Sequence, residues 1–414
     1  MKKATFIFII TLAFGLFADN CLASEATGVD IHGFISQGYI KTSNNNFYGD
    51  TTDGSLEFNE FGINFAEEPA DNMRVGIQIL ARDFGSNGDD ELTIDWAFGD
   101  YRWKDWLGVQ VGKIKTPKGL YNETRDVDML RTYIFLPQSV YSEILRDTDL
   151  GLLGAGIYGN INLNAGGLLS YQFIYGKQNI PPNESVSQAL QGTTAYKTPV
   201  QNDSIAVDSK YVLGLVWDTP LEGLRLGATY DNAPILATAH AKMTVPGVFN
   251  EGEIIIADFN KYQNTVISSE YTVGNLLLVG EYIRTVKNFV ITFSGVPHEI
   301  GDYSAEGWYI GSSYQFADWI HLGSYYSESY NNTADREGKT LNRPGNDIPH
   351  RGYFKDACLT TNFIINRYWN IKLEGHRFTG THRIGALDQV PDANGKVFAD
   401  EGWNMFAAKI TFSF

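Results

Sequence analysis

Hydrophobicity in this chain repeats every two residues, segment after segment, and that period limits what the chain can fold into. Met73, Val75, Ile77, Ile79 and Ala81 alternate with Arg74, Gly76, Gln78, Leu80 and Arg82. Leu92, Ile94, Trp96 and Phe98 alternate in the same way with Thr93, Asp95, Ala97 and Gly99. Leu107–Gly112 and Leu224–Asp231 repeat the pattern. A period of two belongs to a strand with one face in an apolar medium and the other in a polar one. The second face is small or charged, which suits a water-filled lumen.

The connections alternate as well. Short ones fall near 66–72, 102–106, 160–165, 218–223, 272–275, 316–319 and 366–369. Long ones fall near 41–55, 83–91, 115–148, 177–208, 232–260, 285–306, 328–354 and 379–402. Strict interleaving of short turns and long loops predicts about 16 strands, with 18 as the alternative if a small strand hides in 232–260. Hydrocarbon offers no water to an open sheet edge, so the last strand must pair with the first. Val29–Ile35 and the stripe Phe406, Ala408, Ile410, Phe412 and Phe414 are suited to that closure. The expected fold is all-β: a closed antiparallel transmembrane β-barrel.

Composition agrees without deciding. The chain holds 23 Tyr, 25 Phe, 8 Trp and 42 Gly, yet mean hydropathy is only −0.20. A secreted β-sandwich or propeller shares such bulk values. Trp103, Trp106, Trp217, Trp319, Tyr368 and Trp369 all fall beside short turns, where interfacial aromatic girdles sit.

The N-terminus reads as a targeting segment. Lys2 and Lys3 precede an apolar run from Ala4 to Ala18, and Cys21 and Ala23 supply small residues before a cut. Residues 1–23 are expected to be a cleaved signal peptide, leaving 24–414 as the barrel. The run is short for a membrane helix of roughly 20 apolar residues, and the bulky Asn20 argues against lipidation of Cys21. Cys358 then stands alone, which excludes an internal disulfide and a zinc site built on cysteines.

No His-Glu-x-x-His, Gly-x-Ser-x-Gly or phosphate-loop pattern occurs. The expectation is therefore no enzyme, no cofactor and no metal, although a hydrolase triad need not be local in sequence. Glu374 and His376 share the polar face of one strand and read as lumen lining. A net charge of −16 argues against a nucleic-acid partner. Strand parity aims Arg74, Arg82, Asp95, Lys210, Arg225, Lys372, Glu374 and Lys409 into the lumen, because a charge facing lipid costs about 2–4 kcal/mol at mid-depth.

The signal peptide, the amphipathic strands and the terminal stripe ending in Phe414 together resemble the Gram-negative outer-membrane porins. Val111-Gly112-Lys113-Ile114-Lys115-Thr116-Pro117-Lys118-Gly119-Leu120-Tyr121 is similar to the start of the third loop in porins related to the phosphate-selective group. The chain departs from that group in lacking a dense series of lumen arginines. The resemblance implies a homotrimer in contact with outer-membrane lipid and lipopolysaccharide. It also implies passive diffusion of small hydrophilic solutes or anions past a third loop folded into the barrel. Within 115–148, Lys115, Lys118, Arg125 and Arg131 then oppose Glu123, Asp126, Asp128 and Glu143 as a constriction with a transverse field. Replacing the four cations by Gln is expected to shift selectivity and leave folding untouched. Basic wall residues lie closest to a permeant ion, and loop charges are screened beyond about 10 Å at 0.1 M salt, so mild anion preference is expected. The competing class is a non-conducting barrel that scaffolds or adheres.

Overall fold

The computed structural model describes residues 28–414 except 86, 89, 181–199, 243, 245–249, 340–348, 386–387 and 389–398; the side chains of 87, 200, 202 and 298 are also outside the description. The expected signal peptide at 1–23 lies outside the described residues.

Sixteen antiparallel strands close into one barrel, each bonded to its neighbours in sequence. They are β1 Val29–Thr42, β2 Asn59–Ala70, β3 Met73–Phe84, β4 Thr93–Lys104, β5 Leu107–Lys115, β6 Gly151–Asn162, β7 Leu168–Ile180 and β8 Val200–Asp218. After β9 come β10 Ile254–Val273, β11 Leu276–Phe293, β12 Val296–Ala317, β13 Ile320–Tyr330, β14 Tyr353–Ile364, β15 Trp369–Gly380 and β16 Gly402–Ser413. β9 is made of two pieces, Leu224–Asn232 and Ile235–Ala241, both bonded to β8 and β10. Pro234 lies in the gap, where its missing N–H interrupts the ladder without ending the strand. The small strand suspected in 232–260 therefore exists, but it prolongs β9 rather than adding a pair. A two-residue bridge at Asn87–Gly88 decorates β3 and is not a barrel strand. The first and last strands pair from Phe34 with Ser413 to Thr42 with Met405, which leaves no edge.

The outward face is apolar: Val111, Ile157, Phe173, Ile267, Ile310, Leu359 and Phe406 are all exposed. The six aromatics beside the short turns, Trp103, Trp106, Trp217, Trp319, Tyr368 and Trp369, are 37–58% exposed and ring one end of the barrel.

Two expected loops turn out to be strand. β10, β11 and β12 run for 20, 18 and 22 residues. The second piece of β9 and the start of β10 fill about half of 232–260, and β11 and β12 fill nearly all of 285–306. Ser294 and Gly295, at φ 46° and 83°, form the tight turn between β11 and β12, the backbone that two-residue hairpins require. About 9–11 residues suffice to cross a bilayer, so these strands continue beyond it. There apolar residues fall on both faces, as in Ile254–Ile256 and Phe289–Ile291, and the alternation that marks a strand in sequence fades.

The lumen also departs from expectation on one side. Phe47, Tyr48, Phe58, Phe84, Phe135, Phe354, Phe378 and Trp403 form a buried aromatic cluster inside the barrel. Ring centroids lie 5.3 Å apart for Phe58 and Phe135 and 4.1 Å for Phe378 and Trp403. The face assumed to be polar is a hydrophobic core there.

Candidate functional site: the lumen and its third loop

β5 is short, with 9 residues, and the chain leaves its end inward. Residues 116–150 cross the lumen and return as β6. Short turns at Asp128–Leu130 and Arg146–Asp149 are the only regular elements in the segment. Its backbone and side chains bond to β2, β3, the end of β5 and β7 to β16.

The bonding begins at Asp126 and Asp128. Asp126 accepts from Lys115, from Arg146 Nη2 at 2.6 Å and from Gln78 Nε2 at 3.1 Å. Lys115 also lies 3.2 Å from Asp95 of β4, and its ammonium donates to the Glu123 carbonyl while the Glu123 side chain is exposed. Asp128 gathers Lys372 of β15 at 3.1 Å, Lys409 of β16 at 3.3 Å, Arg131 at 3.4 Å and Thr411 Oγ1 at 2.9 Å. Lys409 bonds Glu60 of β2 as well. Glu143 joins Arg125 at 2.7 Å, Arg82 at 3.3 Å and Arg146 at 3.4 Å. Lys118 pairs with Asp149, and Lys210 donates to the Thr148 carbonyl at 2.8 Å. Glu374 accepts the Ile134 and Phe135 amides at 2.7 and 3.1 Å.

The opposite wall grips the loop through Glu281, which accepts from the Leu120 amide at 2.9 Å and from Tyr141 Oη at 2.6 Å. Tyr133 Oη donates to the Ser312 and Ser324 carbonyls. The loop also passes so close to β12 that a Cβ on Gly307 would collide with the Ser139 carbonyl.

Burial alone would raise the Asp126 and Asp128 carboxyls. Lys115 and Arg146 beside the first, and Lys372 and Lys409 beside the second, hold both well below the usual carboxylate range. Burial works against Glu143 too, but Arg125, Arg146 and Arg82 bring it down to about 2.

Of the sequence-derived candidates, Lys115, Lys118, Arg125, Asp126, Asp128, Arg131, Glu143, Arg82, Asp95, Lys210, Lys372, Glu374 and Lys409 thus meet in one packed network. Arg125 and Lys372 are 1% and 0% exposed. Arg74 and Arg225 lie apart, exposed at the feet of β3 and β9; Arg225 pairs with Asp218 at 2.9 Å. The idea that loop charges support no core does not survive this geometry.

A second cationic group was missed because 285–306 and 379–402 read as external loops. Tyr262, Lys287 and Tyr303 stand opposite one another on β10, β11 and β12. The Lys287 ammonium is 5.7 Å from the Tyr303 ring centroid. Nearby, Arg383 donates to two neutral oxygens among the described residues, Ser329 Oγ at 3.2 Å and the Ser139 carbonyl at 3.3 Å. Burial, then Arg383 and Lys287, hold His382 well below the usual imidazole range, so it is neutral at pH 7. Among the described residues no carboxylate bonds Lys287, His382 or Arg383. Extending the inward parity of Glu281, Ile283 and Thr285 by one step would have found Lys287.

No family model matches the chain, and no curated relative does. Solved structures do match in shape. The chain has the porin fold. An anion-selective porin from Comamonas acidovorans aligns with 93% of this chain and 99% of its own at 10% identity and a TM-score of 0.52. The Acinetobacter baumannii outer membrane channel DcaP aligns with 93% and 97% at 12% identity and 0.50. Salmonella typhi OmpF, in complex with daunomycin, aligns with 93% and 97% at 14% identity and 0.54. At these identities the likeness establishes architecture; selectivity has to be argued from this chain's own residues.

Proposed function

We propose that this protein is a porin of the Gram-negative outer membrane, exported by residues 1–23, through which small hydrophilic solutes diffuse with mild preference for anions. The resemblance extends the reading to a homotrimer. The observation that carries it is the contrast inside the lumen. The third-loop cations are each tied to a carboxylate, whereas among the described residues no carboxylate bonds Lys287 or Arg383. Unneutralised charge near a passing ion sets selectivity. Tyrosines on either side of Lys287 add polar edges for an oxyanion.

One observation favours a second reading, a barrel that does not conduct. The loop is bonded around almost the whole wall, and the aromatic cluster fills one side of the lumen. Planar-bilayer recording separates the two. Stable open steps, with a reversal potential of anion sign in a salt gradient, support the porin. A silent barrel that is nevertheless folded, shown by a heat-dependent shift in electrophoretic mobility, supports the closed one. Open steps with clear cation selectivity would remove the anion preference alone.

A further inference from the structure

The network leaves one cluster unexplained. Cys358 of β14 and His376 of β15 are direct cross-strand partners, and Glu374 lies two residues before His376 on the same face. All three point inward and are buried at 5%, 5% and 1% exposure. One donor atom from each, the thiol sulfur, an imidazole nitrogen and a carboxylate oxygen, lies within 4.8 Å of the others. Asp356 Oδ1 is 2.9 Å from His376 Nδ1, and Tyr325 Oη donates to Asp356 Oδ2 at 2.8 Å. That contact fixes the ring so that Nε2 faces Glu374 Oε1, 2.9 Å away.

From this geometry we infer that Cys358, Glu374 and His376 form a binding site for a thiophilic divalent cation of the zinc or cobalt type. Three features carry the inference. First, the donor set is right. Thiolate, imidazole and carboxylate suit a borderline-soft ion and not magnesium or calcium. Second, Asp356 is placed as the outer partner that metal-bound histidines need, holding one ring nitrogen so that the other is presented to the ion. Third, the charge is unbalanced. Asp356 and Glu374 are both buried, and among the described residues the only cationic group paired with either is His376. Buried charge without a partner is costly. The Ile134 and Phe135 amides offset part of that cost at Glu374. A dication bound by the Cys358 thiolate, the Glu374 carboxylate and a neutral His376 places its charge between the two carboxylates, and binding releases the thiol proton and the imidazolium proton on Nε2 to solvent.

The imidazole–carboxylate pair needs little movement to fit. Two ligands about 2.0–2.1 Å from a tetrahedral zinc ion lie roughly 3.3 Å apart, a small opening from the Nε2–Oε1 separation. Three protein donors leave a fourth position for water. The bound ion would also fasten residues 134 and 135 of the third loop to β15 through Glu374. A sequence scan for metal spacing misses this site because its donors meet across a strand pair and not along one.

The test uses the full chain refolded in detergent, loaded with Co2+ and desalted. The expected result is one retained Co2+ per chain, a thiolate-to-cobalt charge-transfer band in the near ultraviolet, and displacement by Zn2+. Cys358→Ser should abolish the band while keeping the heat-dependent mobility shift of a folded barrel. Asp356→Asn, which removes only the outer partner, should weaken retention about 10–100-fold. Wild-type protein that retains no Co2+, or retains it without the band, overturns the site. So does a Cys358→Ser variant that binds as the parent does. These readouts do not depend on whether the barrel conducts.

Discussion

Two groups of cations share this lumen and do opposite things. In the third-loop network, Lys115, Lys118, Arg125, Arg146, Lys372 and Lys409 are each matched to a carboxylate within hydrogen-bonding reach. Their fields largely cancel, and what remains is geometry: the loop is pinned in place. Among the described residues no carboxylate bonds Lys287 or Arg383, so their field is cancelled less. A count of basic residues treats both groups alike. Whether a lumen charge holds the structure or acts on a solute depends on what it is bonded to.

The largest effect should come from breaking the first group. Asp128 is 3% exposed and serves Lys372, Lys409 and Arg131 together. Asp128→Ala leaves two almost fully buried ammonium groups without their shared carboxylate. Removing one partner of a buried pair costs about 3–5 kcal/mol. Denaturant unfolding of the detergent-solubilised barrel should show a loss of that size. Arg225→Ala, which breaks an exposed pair at the foot of β9, should change stability by only about 0.2–1 kcal/mol. Equal losses at the two sites would mean that the network is ordinary surface charge.

Acid should loosen the same group more gradually. Asp and Glu titrate near 3.9 and 4.3 in an unfolded chain. In the fold Glu143 is lowered to about 2, and Asp126 and Asp128 are also depressed. A depressed folded value means that the stabilisation is fully present above about pH 4.3 and is lost as pH falls through the folded values. The loop should therefore resist proteolysis uniformly between pH 5 and 8 and become cleavable only below about pH 4. Cleavage that rises already between pH 7 and 5 would show that these carboxylates do not hold it.

The strand count, the closure of Val29–Thr42 on the last strand and the aromatic ring were legible in the sequence, because lipid imposes a hard alternation on every residue that touches it. The seven short turns fall on the positions their composition marks. Where lipid ends, legibility ends. Lys287 and Tyr303 lie on strand that extends past the bilayer, where no strict alternation announces it. The aromatic cluster around Trp403 was hidden for the opposite reason, since parity alone cannot distinguish a lumen filled with water from one filled with side chains. The third loop's candidate residues were named from a short motif and from charge. Their pairing is a tertiary fact: Asp128 and Lys409 are 281 residues apart in sequence.

The smallest effect is also the most specific. Lys287→Gln removes one charge from the upper group and should leave folding unchanged, because no ion pair among the described residues is broken. Two unit charges 4 Å apart in water interact by about 1 kcal/mol, and 1.4 kcal/mol is a factor of ten. Screening by salt reduces this further. The ratio of anion to cation permeability, read from the reversal potential, should fall roughly two- to fivefold on that scale. Lys287→Arg should restore it, since the charge and not the ammonium matters. Arg131→Gln provides the contrast in the lower group. Asp128 keeps Lys372 and Lys409 after that change, so the local field stays nearly balanced and the ratio should move much less. If Arg131→Gln shifts selectivity and Lys287→Gln does not, the field that sorts ions lies in the third loop, and the upper cations only line the way to it.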